Sequence, residues 1–240
     1  MEGHPVAGRT RTVAAACAAV VATASVACSL PRDPEGTLER VTDGTIRVGV
    51  SASDPWVVLG SGGPGGIEVE LVERFATDLG AEVEWVEGSV DELAAALHVR
   101  ELDLVVAGLA STSPISSEAA LTHPYVTTQV VVAAPPGVAL DDVAGVEVGV
   151  EDGSEAAGIL AKTDAVPVRV DDVATFDGPV AVDSYLVDDL RLRDTGLRLA
   201  EVDHVMAVPH GENAWLVRLE RFLLDDAGFV DRVIEDNDGG

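Results

Sequence analysis

Three short runs of apolar and β-branched residues, at positions 45–50, 83–86 and 102–107, are separated by two longer stretches in which apolar positions recur every three or four residues. Brief runs bounded by Gly, Ser or charge predict strands, and the longer spacing predicts amphipathic helices. In the first helical stretch Leu71, Val72, Phe75, Ala76 and Leu79 share one face, Glu70, Glu73, Arg74 and Asp78 the other, and Gly80 supplies the stop. In the second, Leu93, Ala94 and Leu97 form the stripe. A β-α-β-α-β order implies parallel strands joined by right-handed crossovers, because that hand packs each helix back onto a twisted sheet. Ligands of such sheets lie beyond the carboxyl ends of the strands, so residues 51–56 and 108–112 are expected to converge on one groove.

A smaller version of the pattern follows. After the apolar run 129–134 the chain meets Pro135-Pro-Gly137, which cannot continue a central strand, and a hinge is expected there. Further strands are predicted at 146–150, 166–170 and 180–182, with helices near 155–162 and 185–193. The run 202–209 predicts a return crossing, after which Trp215, Leu216, Leu219, Phe222 and Leu223 form a last helical stripe. Two crossings between two α/β units describe a clamshell that a ligand closes by touching both halves. The expected boundaries are 45–134 plus 204–240 for the first lobe and 135–203 for the second.

The amino terminus is a separate matter. Arg9 and Arg11 precede an apolar stretch at 13–27 that is short for a membrane span and ends in Ser25-Val-Ala-Cys28, the pattern of a signal peptide over residues 1–27. Small residues before a cysteine resemble the lipobox of bacterial lipoproteins. That likeness implies cleavage before Cys28, acylation of its thiol, a polar tether over 28–44, and residence on the extracytoplasmic face of the cell membrane. The other cysteine, Cys17, would leave with the signal peptide. An ordinary secretory signal with a chance cysteine is the alternative.

Composition narrows the partners. A chain that is 47% apolar builds a core rather than a disordered acidic tail, and its net charge of −27 lacks the basic footprint that nucleic acid requires. Without residues 1–27 the charge is −28, a field that draws cationic solutes. His4, His98, His123, His204 and His210 show no metal-ligand spacing and read as surface or packing residues, so no metal and no cofactor is expected. Gly60-Ser-Gly-Gly-Pro-Gly65 fits G-x-G-x-x-G, but it lacks the strand that should run into it and reads as a flexible loop.

Several motifs fall in a familiar order: Thr45-Ile-Arg-Val-Gly-Val50, Pro55-Trp56, Gly66-Ile-Glu-Val-Glu70, Asp103-Leu-Val-Val-Ala-Gly108, Thr122-His-Pro-Tyr125, Glu151-Asp-Gly-Ser154 and Val205-Met-Ala-Val-Pro-His-Gly-Glu-Asn213. Together they resemble the type 3 extracytoplasmic solute-binding proteins of ABC importers, which commonly bind amino acids or related polar solutes. The resemblance implies an α/β fold, a two-lobed periplasmic-binding-protein-like clamshell of type II whose parallel-sheet lobes are joined by a two-crossing hinge. It also implies no catalysis, and three partners: a small polar solute, a membrane permease and that permease's ATPase.

It further nominates ligand contacts. Asp54 and Trp56 follow the first strand, Glu68 lies in the acidic motif, Ala110, Ser111 and Thr112 follow the third strand, and Ile115, Ser154 and Asp183 come later. Each has a plainer role open to it. Trp56 fits the core or rim as well as a ligand, Ser111 and Thr112 fit a turn, and Ser154 and Asp183 fit helix caps. In amino-acid binders an aspartate at the position of Asp183 holds the ligand ammonium, and an arginine at the position of Ile115 clamps its carboxylate. No Arg or Lys lies between Arg100 and Lys162, which directs the expectation to a cationic or amine-bearing solute without a clamped carboxylate. A surface sensor or interaction protein with a degenerate pocket is the alternative. A dehydratase-like enzyme is a weaker one, since no acid-base pair is evident.

Overall fold

The structure, a computed structural model, describes residues 32–237; the expected signal peptide and Cys28 lie outside the described residues. It opens on a stretch expected to be tether, and here the expectation is corrected. Helix α1 (Thr37–Val41) buries Thr37 and Val41 against the first lobe. Asp33 Oδ1 accepts from the backbone N–H groups of Ala214 and Trp215 at 2.7 and 3.0 Å, and its Oδ2 accepts from Leu38 N at 2.9 Å. Glu212, 1% exposed, accepts from Thr37 N at 3.2 Å and Glu35 N at 3.3 Å. Pro34 and Gly36 look like linker punctuation in the sequence, yet Gly36 takes φ 69° to turn the chain into α1.

Strand β1 (Thr45–Val50) has the bounds that its pattern predicts. The 58–65 glycine stretch is an antiparallel hairpin, β2 (Val58–Gly60) with β3 (Gly63–Gly65), rather than a loose loop. Helix α2 (Ile67–Leu79) ends at Gly80, φ 67°, and leads to β4 (Glu82–Glu87). Helix α3 (Val90–His98) starts on a reciprocal cap in which Ser89 and Glu92 satisfy each other's backbone N–H. Strand β5 (Leu104–Ala110) then joins β1, which lies between β4 and β5 and runs parallel to both.

Alternation along β5 builds a core on both faces of the sheet. Leu104 and Val106 pack with Phe75, Leu71, Met206 and Trp215 on the α2 side; Val105, Ala107 and Leu109 pack with Leu93 and Leu97 of α3 on the other. The short β6 (Ala119–Leu121) closes this lobe by pairing with the returning strand.

Two strands carry the chain between lobes. β7 (Val126–Ala134) goes out, and after β8 (Glu147–Glu151), α4 (Glu155–Leu160), β9 (Val166–Val170) and β10 (Val180–Asp183) the seventeen-residue β11 (Arg193–Pro209) returns. β7 and β11 pair antiparallel from Val126↔His204 to Ala134↔Arg193, with two register shifts. The sheet path is β4-β1-β5-β11-β7-β10-β8-β9. Val130 and Val132 pack with Val148, Val150 and Leu160 of the second lobe, whereas Met206 and Val208 pack with the first. The crossing therefore falls near residues 127–129 and 201–204, and Pro135 lies at the far end of the ribbon rather than at a hinge. An apolar run announces a strand, but it does not say against which lobe the strand is buried.

The helix expected at 185–193 is absent. Ser184–Leu186 makes one 3₁₀ turn, and Arg191 adopts φ 55°, a left-handed conformation that stops helical propagation before β11 begins. Helices α5 (Asn213–Asp225) and α6 (Ala227–Asn237) complete the chain on the first lobe, with Phe222 5.1 Å and Trp215 5.3 Å from Phe75 between ring centroids.

Candidate functional site at the lobe junction

The carboxyl tips of β1 and β5 converge as expected, but the side chain that follows β1 turns inward. Trp56 is 3% exposed. Its indole faces the His204 imidazole at 4.0 Å between centroids, tilted 31°, and meets Tyr125 and Tyr185 edge-on at 6.1 and 6.3 Å. Tyr185 comes from the second lobe and Trp56 from the first, so one ring cluster bridges the two. Gly108, φ 59°, is required beneath it, because a Cβ there would stand 2.6 Å from Trp56 Cδ1. The first N–H groups of α2 are also committed: Ile67 N donates to Pro55 O and Glu68 N to Trp56 O.

Below the rings lies Glu68, fully buried. Its carboxylate accepts from Tyr125 Oη and Gly108 N, each at 2.8 Å. Burial raises it to about 7 against the pull of those donors. Expected as a ligand contact, Glu68 instead ties the start of α2 to the tip of β5.

A second acid stands on the other side. Asp183, at the end of β10, receives a 3.0 Å bond from Thr128 Oγ1, whose oxygen also lies 3.0 Å from His204 Nε2. The Thr128 hydroxyl has one proton and gives it to Asp183, so His204 Nε2 carries the N–H that Thr128 accepts. Among the described residues His204 Nδ1 is buried and has no partner within hydrogen-bond limits, the Gly108 backbone acting on the ring only as a weaker neighbour. Burial lowers the imidazole to about 4, opposed by the Gly108 backbone, so the ring is neutral at pH 7. Burial raises Asp183 to about 6, and the charge of Glu155 adds to that. Among the described residues no Arg or Lys forms an ion pair with Asp183, Glu68 or Asp54.

The remaining expected contacts divide. Asp54 is exposed, and its charge acts on the buried Tyr185 phenol, which is raised mainly by burial. Ala110 is buried and pairs with His204 across β5 and β11; Ser111 N donates to Asp203 O, leaving the side chains of Ser111 and Thr112 exposed at the rim. Ser154 Oγ caps α4 through Ala157 N at 3.2 Å and donates to Glu151 O at 2.8 Å, and α4 packs on β10 beside Asp183. Ile115 leaves the junction altogether. It is 4% exposed, packed with Leu93, Leu97 and Ala119 on the outer side of the first lobe. It also borders a surface groove of about 420 Å³ with Val90, Ala94 and Pro114. The apolar core behind that turn takes a side chain that an arginine would have sent elsewhere.

Tyr185, His204 and Thr128 were not singled out from the sequence as site residues. The available signal was a polar residue at an inward position: Val202, His204, Met206 and Val208 alternate along β11, and only the histidine breaks the apolar series. A cavity of about 370 Å³ adjoins this chain of groups, lined by Val126, Thr127, Thr128, Gln129, Ser184 and Tyr185 with Ile234.

Comparison with known proteins adds three findings. Residues 46–225 match the family described as bacterial extracellular solute-binding proteins, family 3. The membrane-bound lytic murein transglycosylase F of Vibrio cholerae is 31% identical over 110 residues, 44% of this chain and 21% of the relative, so the chain spans about a fifth of the length of the curated relatives it matches. Among solved structures, an ancestral cationic amino acid solute-binding protein superposes with a TM-score of 0.68 at 20% identity, over 84% of this chain and 99% of that one. The L-cystine solute receptor of Neisseria gonorrhoeae, in an unliganded open conformation, superposes with a TM-score of 0.63 at 20% identity, over 80% and 91%. These likenesses establish the two-lobed fold of type II periplasmic binding proteins.

Proposed function

Since the chain belongs to the bacterial extracellular solute-binding proteins of family 3, we propose that it captures a small polar, amine-bearing solute at the lobe junction and delivers it to an importer of the ABC type, without catalysing a reaction. One observation carries the choice of solute. Asp183 is a largely buried carboxyl with Thr128 as its hydrogen-bonding neighbour and no cationic partner among the described residues. A ligand ammonium would supply the missing charge, and the rings of Trp56 and Tyr185 beside it suit a cation lying over an aromatic face. With Ile115 turned into the core, nothing at that position clamps a carboxylate.

In the conformation described, side chains fill the junction, so capture begins with the lobes parting. The ring contacts that separate are worth roughly 0.5–1.5 kcal/mol each, a cost that a well-paired solute offsets. The β7–β11 ribbon keeps the lobes joined as they open. The protein would work on the extracytoplasmic face of the cell membrane, held by lipid on Cys28.

Calorimetric titration of residues 29–240 with amines, amino acids and sugars tests this reading. Amine binding that disappears in Asp183→Asn supports it; preference for an acidic ligand sinks it. A second reading, a sensor or interaction protein with a filled pocket, is favoured by the near-complete burial of Trp56. Failure of every solute to bind, in the wild type and in Trp56→Ala alike, would select it.

A further inference from the structure

Resting on the reading of the junction as an amine site, we propose that Asp183 exchanges a bound proton for the charged head of the solute, so that the site selects heads that stay charged at neutral pH and gives them up in acid. One oxygen carries the argument. Thr128 Oγ1 donates to Asp183 Oδ1 at 3.0 Å, whereas Oδ2 accepts no hydrogen bond from any described residue. Oδ2 is also not sealed, since among the described residues His204 Nδ1 is the one fully buried polar side-chain atom without a partner. A carboxylate oxygen with room for one more donor takes either an acidic proton or an N–H of a cation, and a proton already on it removes the charge that holds the cation.

The elements packed against β10 offer Asp183 only acidic or neutral groups. On β7 stands Thr128, and behind it on β11 His204, neutral at pH 7. Helix α4 begins at Glu155, whose charge acts on Asp183. Strand β8 ends at the exposed Glu151, and Asp152 beyond it pairs with Arg169. The turn after β10 brings the Tyr185 phenol, raised by burial and by the charges of Asp183 and Asp54. Other cations lie far off: Arg40 and Arg47 bind Asp103 where β1 and β5 start, at the base of the first lobe. Burial, helped by Glu155 and opposed by Thr128, thus keeps a proton on Asp183 up to about pH 6.

Capture runs as an exchange. The Asp183 O–H bond breaks, its proton passes to water, and the carboxylate pairs with the arriving cation. The site is neutral overall before and after, so no unpaired carboxylate is ever buried. The head must be charged where Asp183 is charged. Aliphatic ammonium and guanidinium groups keep their protons to about pH 10 and beyond, whereas an imidazole loses its proton near pH 6.5, roughly where Asp183 ionises. The site therefore takes alkylamine and guanidine solutes and discriminates against imidazoles.

Calorimetric titration of the protein with agmatine and with putrescine, in phosphate and in MES buffers of unlike ionisation enthalpy, counts the protons released. At pH 6 roughly half a proton should leave per solute bound and at pH 8 about none, while affinity, level above pH 7, falls towards about tenfold per pH unit below 6. At pH 7.5 imidazole should displace agmatine at least about tenfold less well than propylamine does; equal displacement would overturn the selection. Glu155→Gln, at an exposed position, removes a charge that acts on Asp183 and should move the acid midpoint down. A midpoint indifferent to it would assign the fall to another group or to acid unfolding, and overturn the inference. Binding that is level from pH 8 to pH 5 with no proton released overturns the inference alone and leaves the amine site standing. Failure of both amines to bind at pH 8 overturns the two together.

Discussion

The base of the first lobe and the junction between lobes both bury carboxylates, and they treat them in opposite ways. At the base, Asp103 is 1% exposed and lies 2.5 Å from Arg40 and 2.8 Å from Arg47. Burial pushes it up, but the bonds from Arg47 and Arg40 outweigh burial and hold it below the usual carboxylate range. At the junction, Glu68 and Asp183 meet only hydroxyl and amide donors, and burial raises both. Asp103 is neutralised internally and belongs to the scaffold, Glu68 is held by its own donors within the first lobe, and Asp183, left without a counterion among the described residues, is the charge that a solute can complete.

The contrast breaks first at Asp103. Asp103→Ala removes the acceptor of Arg47 N and of two partly exposed guanidinium groups and should cost about 3 kcal/mol, read from urea unfolding at pH 7.5. Because its folded value is depressed, the stabilisation is full above the unfolded value near 4 and is lost as pH falls through the folded one.

Glu68→Gln sharpens the other side. The wild-type carboxyl ionises in the unfolded chain near 4.5 and in the folded protein near 7. Between those values the folded state holds the proton that the unfolded state has released, so stability falls as pH rises. The wild type should lose roughly 3 kcal/mol relative to the Gln variant across that window, with no further change above it. His204 and Asp183 titrate in both proteins and drop out of the difference. Equal slopes would show that Glu68 has found a cation.

Two smaller effects follow. Asp33→Ala removes the cap of α5 and should cost about 1–2 kcal/mol while leaving solute affinity unchanged. Asp183→Asn, at the junction, should change stability at pH 7.5 by less than about 1 kcal/mol, since it removes a carboxylate that no cation supports, while abolishing amine binding in calorimetry.

Much of this architecture is legible in the chain itself. The bounds of β1 and β9, the stop at Gly80 and the facing stripes of α2 and α3 follow from periodicity and punctuation. What periodicity lacks is direction in space. It identifies Ile115 as a side chain near a strand tip without revealing that the turn aims it outward, and it cannot join Asp33 to a helix 181 residues away. It missed the ribbon because Arg193 to Leu199 alternate weakly, their order coming from the partner strand β7. The site was half visible for a related reason: Asp183 and Trp56 carry recognisable local motifs, whereas Thr128 and His204 become neighbours only when two distant crossings pair.

The placement of Trp56 has an optical consequence. Of the three tryptophans, Trp215 is sealed in the base with its indole N–H on the Asp103 carbonyl and Trp85 lies half-buried on the outer strand β4. Only Trp56 changes surroundings when the lobes part, so a red shift in ultraviolet emission, absent from Trp56→Phe, would serve as a built-in gauge of opening that needs no attached dye.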